Sequence, residues 1–224
     1  YYNTDLLDKY DANTFLDDDV VTIEEILSLD GKLDEGQYAI NNALIEWVTL
    51  ANVVNAGGDI SDEAGNPTIN TDAMRSVVEQ LKSVADAGLM SPYGEDGYAM
   101  FQSGDVLFST DGTWTSTAHG SVEGLNFGVT NIYSVTPDKF TNRSSAHLFS
   151  LLNNEDRTDE KEQGVADFLS WMRENSLDWA GAGQIVASKE VFESEEYQQY
   201  PQSFFTSSDV EKEASYIFDY KYYS

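Results

Sequence analysis

Met100-Phe-Gln-Ser-Gly-Asp-Val-Leu-Phe-Ser-Thr-Asp-Gly-Thr-Trp114 places a short apolar run, a turn pair and a tryptophan in close succession. Val106-Leu-Phe-Ser-Thr110 predicts a short buried strand, because three consecutive apolar residues are bounded by turn formers. Asp111-Gly112 is the turn that ends it. Trp114 then stands just past the strand, on a turn rather than on a periodic apolar face. The surrounding stretch, Tyr93–Gly124, is punctuated throughout by glycine.

Upstream, Thr71 caps the clearest helix of the chain, with Met74, Val77, Val78, Leu81 and Ala85 expected on one face and Gly88 as its stop. A polar loop, Asp59–Asn70, precedes it, with Gly65, Asn66 and Pro67 as turn formers. Another helix is predicted across Asn41–Ala56, with Leu44, Trp47, Val48 and Ala51 at helical spacing and Gly57-Gly58 ending it. Thr22-Ile-Glu-Glu25 matches a capping box and opens a short helix through Ile26 and Leu27. Tyr1-Tyr-Asn3 reads as the tail of a strand, and the chain is expected to be an internal piece of a longer one.

Downstream, Leu125–Tyr133 and His147–Leu152 are predicted strands. Thr158 caps a helix with Val165, Phe168, Leu169 and Met172 on one face, and Trp171 beside that stripe is read as core. A further helix is expected over Ser188–Tyr197, and Ser215–Ser224 alternates Tyr216, Phe218, Tyr220 and Tyr222 as a strand does. Helices and strands that alternate without a clean break predict an α/β architecture.

Composition narrows the function. Among 224 residues, 40 Asp and Glu face 12 Lys and Arg, for a formal net charge of −28. Nucleic acid binding rests on cations that neutralise phosphates, so that class is excluded, and the same field repels an anionic membrane surface. The 41% apolar share supports a packed core. There are no cysteines, which removes disulfides, thiol nucleophiles and thiolate metal sites. No apolar run reaches the roughly 18 residues of a membrane span.

No catalytic or cofactor motif is present. His119 and His147 lie in no metal pattern, and neither a nucleophile elbow nor a phosphate loop occurs. Asp17–Asp19 and Asp59–Glu63 are acidic enough to attract Ca²⁺ but lack EF-hand spacing, so no metal is expected. Carboxylates are too abundant for a paired-acid site to be read from composition. The aromatics are more informative. Trp114 either closes the end of its strand against the core or offers a flat apolar face and polar edge, which suits a sugar ring. Asp111 beside it could accept sugar hydroxyl protons. Trp47 reads as core on its helix, Trp179 as packing or cleft in a Gly-rich run, and His147 as a buried residue bonded to backbone.

Taken in order, these motifs resemble the extracytoplasmic sugar-binding proteins of ABC importers, the maltose-binding-protein-like family. Tyr2-Asn-Thr-Asp-Leu-Leu7 is similar to the family's Tyr-Asn-Lys-Asp-Leu segment. Trp47 followed by Ala56-Gly57-Gly58 resembles its helix from an aromatic sugar contact to a Gly-Gly. Val84-Ala-Asp-Ala-Gly-Leu89 and then Met100–Trp114 echo its helix ending in Ala-Gly-Leu and its Gly-x-Trp segment. Asn126-Phe-Gly-Val-Thr130 resembles the strand that crosses between lobes. Phe168-Leu-Ser-Trp-Met172 with Trp179-Ala-Gly-Ala-Gly-Gln-Ile-Val-Ala-Ser188 resembles the Phe-Leu-x-Trp helix and Gly-Gln-Ile-Pro-Ala turn. Ile23 stands where the family has Trp, and Val186 where it has Pro.

The resemblance implies a type II periplasmic-binding-protein-like α/β fold, of which this chain is mostly the second lobe. Residues 1–128 are then the first part of lobe 2, 129–143 a hinge crossover, 144–183 a segment of lobe 1, and 184–224 a truncated return to lobe 2. It further implies capture of a carbohydrate, expected to be an oligosaccharide, between two lobes and delivery to a membrane permease. No covalent chemistry or cofactor is implied, and Trp114, Trp47, Asp111, His147 and Trp179 become the ligand-binding candidates. The expected setting is extracellular, lipid-anchored or periplasmic, with a monomeric full-length protein. The other readings are a secreted acidic glycoside-active enzyme and a surface adhesion module.

Overall fold

The computed structural model describes residues 1–62, 64–152 and 154–206, and the backbone of 215–218. Four short strands form the first sheet: β1 (Tyr2–Asn3), β2 (Tyr38–Ile40), β3 (Val106–Phe108) and β4 (Phe127–Gly128), in the order β2-β3-β1-β4. β2 and β3 run parallel, with Tyr38 opposite Val106 and Ile40 opposite Phe108. β1 is antiparallel to both β3 and β4, pairing Tyr2 with Phe108 and with Gly128. A parallel pair needs a long crossover, and helices supply it here. The chain between β2 and β3 carries α3 (Ile45–Asn55), α4 (Asp72–Asp86) and α5 (Gly97–Gln102), following α1 (Thr4–Lys9) and α2 (Ile23–Leu27).

Local chemistry sets the helix starts. The capping box forms at α2: the Glu25 N–H donates to Thr22 Oγ1 at 3.2 Å, and the Thr22 N–H to the Glu25 carboxylate at 2.8 Å. Asn3, Thr71 and Asp96 cap α1, α4 and α5 in the same way. Their apolar faces converge on one core, with Leu7, Ile26, Ile40, Val48, Val77 and Leu107 fully buried. Ile23 joins that core, its N–H bonded to the Ser134 carbonyl. On α4 the buried stripe is Val77, Leu81 and Val84, whereas Val78 is half-exposed and Ala85 faces solvent. The packing neighbours sit slightly to one side of the face that the apolar pattern marks.

The helix expected from Asn41 begins only at Ile45, because β2 takes residues 38–40 and Asn41 serves the sheet instead. Buried Asn41 donates to Ser109 Oγ (2.6 Å) and accepts from the Thr110 N–H (3.2 Å), joining the ends of β2 and β3. Leu44 then starts α3 in the left-handed region, at φ 50°.

The strand expected over Leu125–Tyr133 is confined to β4. Beyond it, Ser134 makes one isolated parallel bridge to Thr22 among the described residues, and side chains do the rest of the anchoring. Asn52 of α3 donates to the Tyr133 carbonyl (3.0 Å) and accepts from the Val135 N–H (2.8 Å). Asn55 donates to Ser134 Oγ (3.0 Å) and accepts from Thr141 Oγ1 (2.7 Å), and Asn142 donates to Asn131 (2.7 Å). Buried amides that spend both ends on their neighbours anchor the segment without a ladder. It leads into β5 (Thr141–Ser144), which pairs in parallel with β6 (Ser215–Phe218). The remainder of the tyrosine-rich tail, including Tyr220 and Tyr222, lies outside the described residues.

His147–Leu152 is not a strand: among the described residues nothing pairs with it, and Leu148, Phe149, Leu151 and Leu152 are exposed. After α6 (Ser116–Gly120), the longest helix, α7 (Asp159–Glu174), starts at the Thr158 cap as expected but buries no residue among those described. Phe168 meets Phe149 edge-on at 5.9 Å and is half-exposed, and Trp171 is exposed rather than core. α8 (Ser176–Gly181) and α9 (Lys189–Phe192) pack with Tyr197 and Val186 in a small second core. The helix expected over Ser188–Tyr197 therefore stops at Phe192. No helix among the described residues is long and apolar enough to cross a membrane.

Candidate ligand-binding site

The loop after β3 is shaped by its own polar groups. Asp111 Oδ1 accepts the Gly112 N–H at 2.7 Å, but the turn expected at Asp111-Gly112 does not form there: Gly112 is extended, and the chain turns only at Thr113–Thr115, in one 3-10 turn. The Tyr1 hydroxyl lies 3.0 and 3.1 Å from the Gly112 and Thr113 carbonyls and holds the turn from behind. Trp114 folds back over Gly112, so closely that a Cβ on Gly112 would stand 2.2 Å from Trp114 Cη2. A side chain there would push the indole aside, whereas the backbone itself suits any residue. The opposite side of the ring is open, and Trp114 is 49% exposed.

Trp47, in the first turn of α3, meets Trp114 edge-to-face at 6.1 Å. Arg143 of β5 also lies over it, its guanidinium carbon 3.8 Å from the indole centroid, a cation–π contact. Four residues on, His147 meets Trp179 of α8 edge-to-face at 5.9 Å. Trp179 is 45% exposed and His147 is exposed rather than buried against backbone. Beyond Trp179 the chain returns to the segment that carries Trp114. Thr117 Oγ1 donates to the Gly181 carbonyl (2.7 Å), and Gly183, at φ +82°, comes so near Thr113 that a Cβ would stand 2.1 Å from its carbonyl oxygen.

The structure thus forms two aromatic pairs, Trp114 with Trp47 and His147 with Trp179, whose neighbouring backbone at Thr113–Thr117 and Gly181–Gly183 comes together. Asp111 adjoins that segment in the chain, its side chain only 12% exposed. Its second oxygen faces His119 Nε2 at 3.9 Å, beyond hydrogen-bond range. Burial raises the Asp111 pKa. His119 is fully buried among Tyr1, Tyr98, Phe101 and Phe127, and burial lowers its pKa to about 4, so the imidazole is neutral at pH 7. Among the described residues, no group of three His, Asp or Glu side chains could hold a metal ion, and Glu63 lies outside them.

Two features escaped the sequence reading. Arg143 was visible only as one of 12 cations in an acidic chain, and nothing local marks its reach to Trp47. Gly112 had a signal, because a glycine two residues before an off-face tryptophan allows the ring to fold back onto the backbone.

No curated protein sequence matches the chain. Solved structures do match its fold. An ABC substrate-binding protein from Listeria monocytogenes in complex with cycloalternan is 16% identical, with a TM-score of 0.70 over 96% of this chain and 57% of that one. A maltose/maltodextrin-binding domain from Bdellovibrio bacteriovorus bound to maltotriose is 15% identical, with a TM-score of 0.68 over 96% and 58%. A sugar transporter from Arthrobacter chlorophenolicus with bound laminaribiose is 14% identical, with a TM-score of 0.69 over 96% and 56%. The chain therefore shares the α/β fold of these periplasmic-binding-protein-like molecules and spans less than three-fifths of their length. Residues 1–206 match the family described as bacterial extracellular solute-binding protein, and the chain belongs to that family.

Proposed function

We propose that this chain is part of the carbohydrate-capturing component of an ABC importer, which closes two lobes around an oligosaccharide and passes it to a membrane permease. Trp114 and Trp179 present apolar faces to sugar rings, with Trp47 and His147 completing the aromatic wall. Asp111, beside Trp114 in the chain, is the candidate acceptor for a sugar hydroxyl. Residues 1–128 and 184–224 are assigned to the second lobe, 129–143 to the crossover and 144–183 to the first lobe. The whole protein is proposed to act as a monomer outside the cytoplasmic membrane, held there by a lipid anchor or retained in a periplasm.

One observation carries the reading: two half-exposed tryptophans from distant parts of the chain, each in an edge-to-face aromatic pair, lie on segments that come together at Thr113–Thr117 and Gly181–Gly183. Rings of this kind suit the alternating CH faces and hydroxyls of a sugar. No covalent step is needed, because lobe closure draws its free energy from contacts made only in the closed state. Family membership and the sugar-bound neighbours support transport over a glycoside-active enzyme or an adhesion module.

A thermal-shift screen of the intact protein against mono- and oligosaccharides tests it. A ligand at 100 times its dissociation constant adds about 2.7 kcal/mol, or roughly 5–10 °C for a protein of this size. The expected result is a shift with one sugar class that is lost in Trp114→Ala. No shift with any sugar refutes the proposal, and a shift that fades as the sugar is consumed identifies an enzyme.

A further inference from the structure

We propose that His119 is a positioning residue of this site: on sugar binding its Nε2–H closes onto Asp111 Oδ2 and holds that carboxylate as the acceptor of a sugar hydroxyl. The inference rests on the ligand-binding reading above and deepens it.

The chain itself brings the two residues together. Asp111 and His119 bracket Trp114 in sequence, eight residues apart. Between them the chain turns at Thr113–Thr115, where Thr115 Oγ1 donates to the Gly112 carbonyl at 2.8 Å, and then enters α6. His119, in the last turn of α6, thereby comes back to Asp111, with Nε2 3.9 Å from Oδ2. Four rings fix the imidazole. Tyr1, Phe101 and Phe127 meet it edge-on at 4.8, 5.0 and 5.8 Å, and Tyr98 lies tilted at 4.9 Å.

Both ring nitrogens of His119 are buried, and neither has a hydrogen-bond partner. A neutral imidazole always carries one N–H, and a donor buried unpaired is costly. Phenylalanine would fill the same aromatic box without that cost, so the polar ring calls for a partner that it meets in another state. Asp111 has the complementary need. Its Oδ1 already accepts the Gly112 N–H at 2.7 Å, whereas Oδ2 accepts no hydrogen bond among the described residues. At 12% exposure the side chain still touches solvent in the free protein. A bound sugar displaces that solvent, and a charged oxygen then requires a protein donor. A swing of about 1 Å around the Gly112 bond brings Oδ2 within reach of Nε2–H. The carboxylate stays ionised and keeps a lone pair for the sugar hydroxyl, as a charge-assisted bond. His119 touches no sugar; it acts through Asp111.

The test uses the intact protein at pH 7 and the tightest binder from a panel of glucose, galactose and mannose oligosaccharides. Titration calorimetry compares His119→Phe, His119→Gln, Asp111→Asn and the double variant of His119→Phe with Asp111→Asn. His119→Phe fills the box without a donor and is expected to bind about tenfold more weakly than the unaltered protein. His119→Gln, which returns an N–H near the Nε2 position, should recover most of that loss. The double variant should bind no more weakly than Asp111→Asn alone, because the two groups act as one unit. The chain has two histidines, so nitrogen-15 spectra of the unaltered protein resolve the His119 ring. Saturating sugar should move its Nε2–H downfield and slow its exchange. That spectrum needs no variant and decides the matter even where His119→Phe fails to fold. A ring proton unmoved by sugar, undiminished affinity in His119→Phe, or losses that simply add in the double variant overturn this inference and leave the carbohydrate reading standing. Binding of no sugar in the panel overturns both.

Discussion

Gly112→Ala isolates the support of the Trp114 ring. Gly112 sits at φ −83° and ψ 154°, a conformation alanine adopts freely, so the backbone carries no penalty. The added Cβ would stand 2.2 Å from Trp114 Cη2 and 2.3 Å from both Cζ2 and Cζ3. Carbon atoms rest at roughly 3.5–4.0 Å, so the indole must move by about 1.5 Å. That movement breaks the edge-to-face contact with Trp47, worth about 0.5–1.5 kcal/mol. Trp114 is half-exposed, so folding suffers little beyond that: a Tm loss of roughly 2–4 °C is expected for about 1 kcal/mol. Sugar affinity should fall further, by about 5–30-fold, the equivalent of 1–2 kcal/mol of misplaced platform. Near-UV circular dichroism reads the loss of coupling between the two indoles, and titration calorimetry reads the affinity. Gly120→Ala is the control, because a Cβ there meets nothing within 4 Å. Unchanged near-UV dichroism in Gly112→Ala, or affinity equal to that of Gly120→Ala, would falsify the reasoning.

Three further outcomes are expected. Asn52→Ala leaves the Tyr133 carbonyl and the Val135 N–H buried without their partner, and urea unfolding should show a loss of about 2–4 kcal/mol; less than 1 kcal/mol would mean that water replaces the amide. Burial depresses the His119 pKa from 6.5 to about 4, so between those values the unfolded chain binds more protons. Its contribution to stability is then complete above pH 6.5 and lost as pH falls toward 4, and His119→Phe should show a shallower decline in that window, measured by Tm against pH. Finally, raising salt from 0.1 to 1 M shortens the Debye length from about 10 to about 3 Å. With a net charge of −28, Tm should climb across that range, and a flat response would show that self-repulsion is unimportant.

Features governed by near neighbours were legible in the sequence. The Thr22–Glu25 box, the Thr71 and Thr158 caps and the Val106–Phe108 strand are set within a few residues and appear where the pattern places them. The ordered motifs identified the family. Long-range substitution for backbone pairing was not legible: asparagines at 52, 55 and 142 look like ordinary polar residues until the chain they bind is known. His147–Leu152 shows the opposite case, an apolar run with strand character but no partner among the described residues. At the site, Trp114 stood out because it is off any helical face. The contacts that pair it with Trp47 and bring the Trp179 segment beside it span tens of residues, which no local pattern encodes.

The buried asparagines that hold residues 131–142 against α3 also divide the chain by how readily it opens. Amide protons at Ile132, Ser134 and Val135 are each held by bonds to Asn142, Val21 and Asn52, so their exchange with solvent requires the main core to open. Past Ser144 the exposed stretch 145–150 has no backbone bond among the described residues, and its protons should exchange almost as fast as those of a free peptide. The protein therefore carries an abrupt mechanical boundary at Ser144. A bending motion would concentrate there, and a protease probing the native state would make its first cut there.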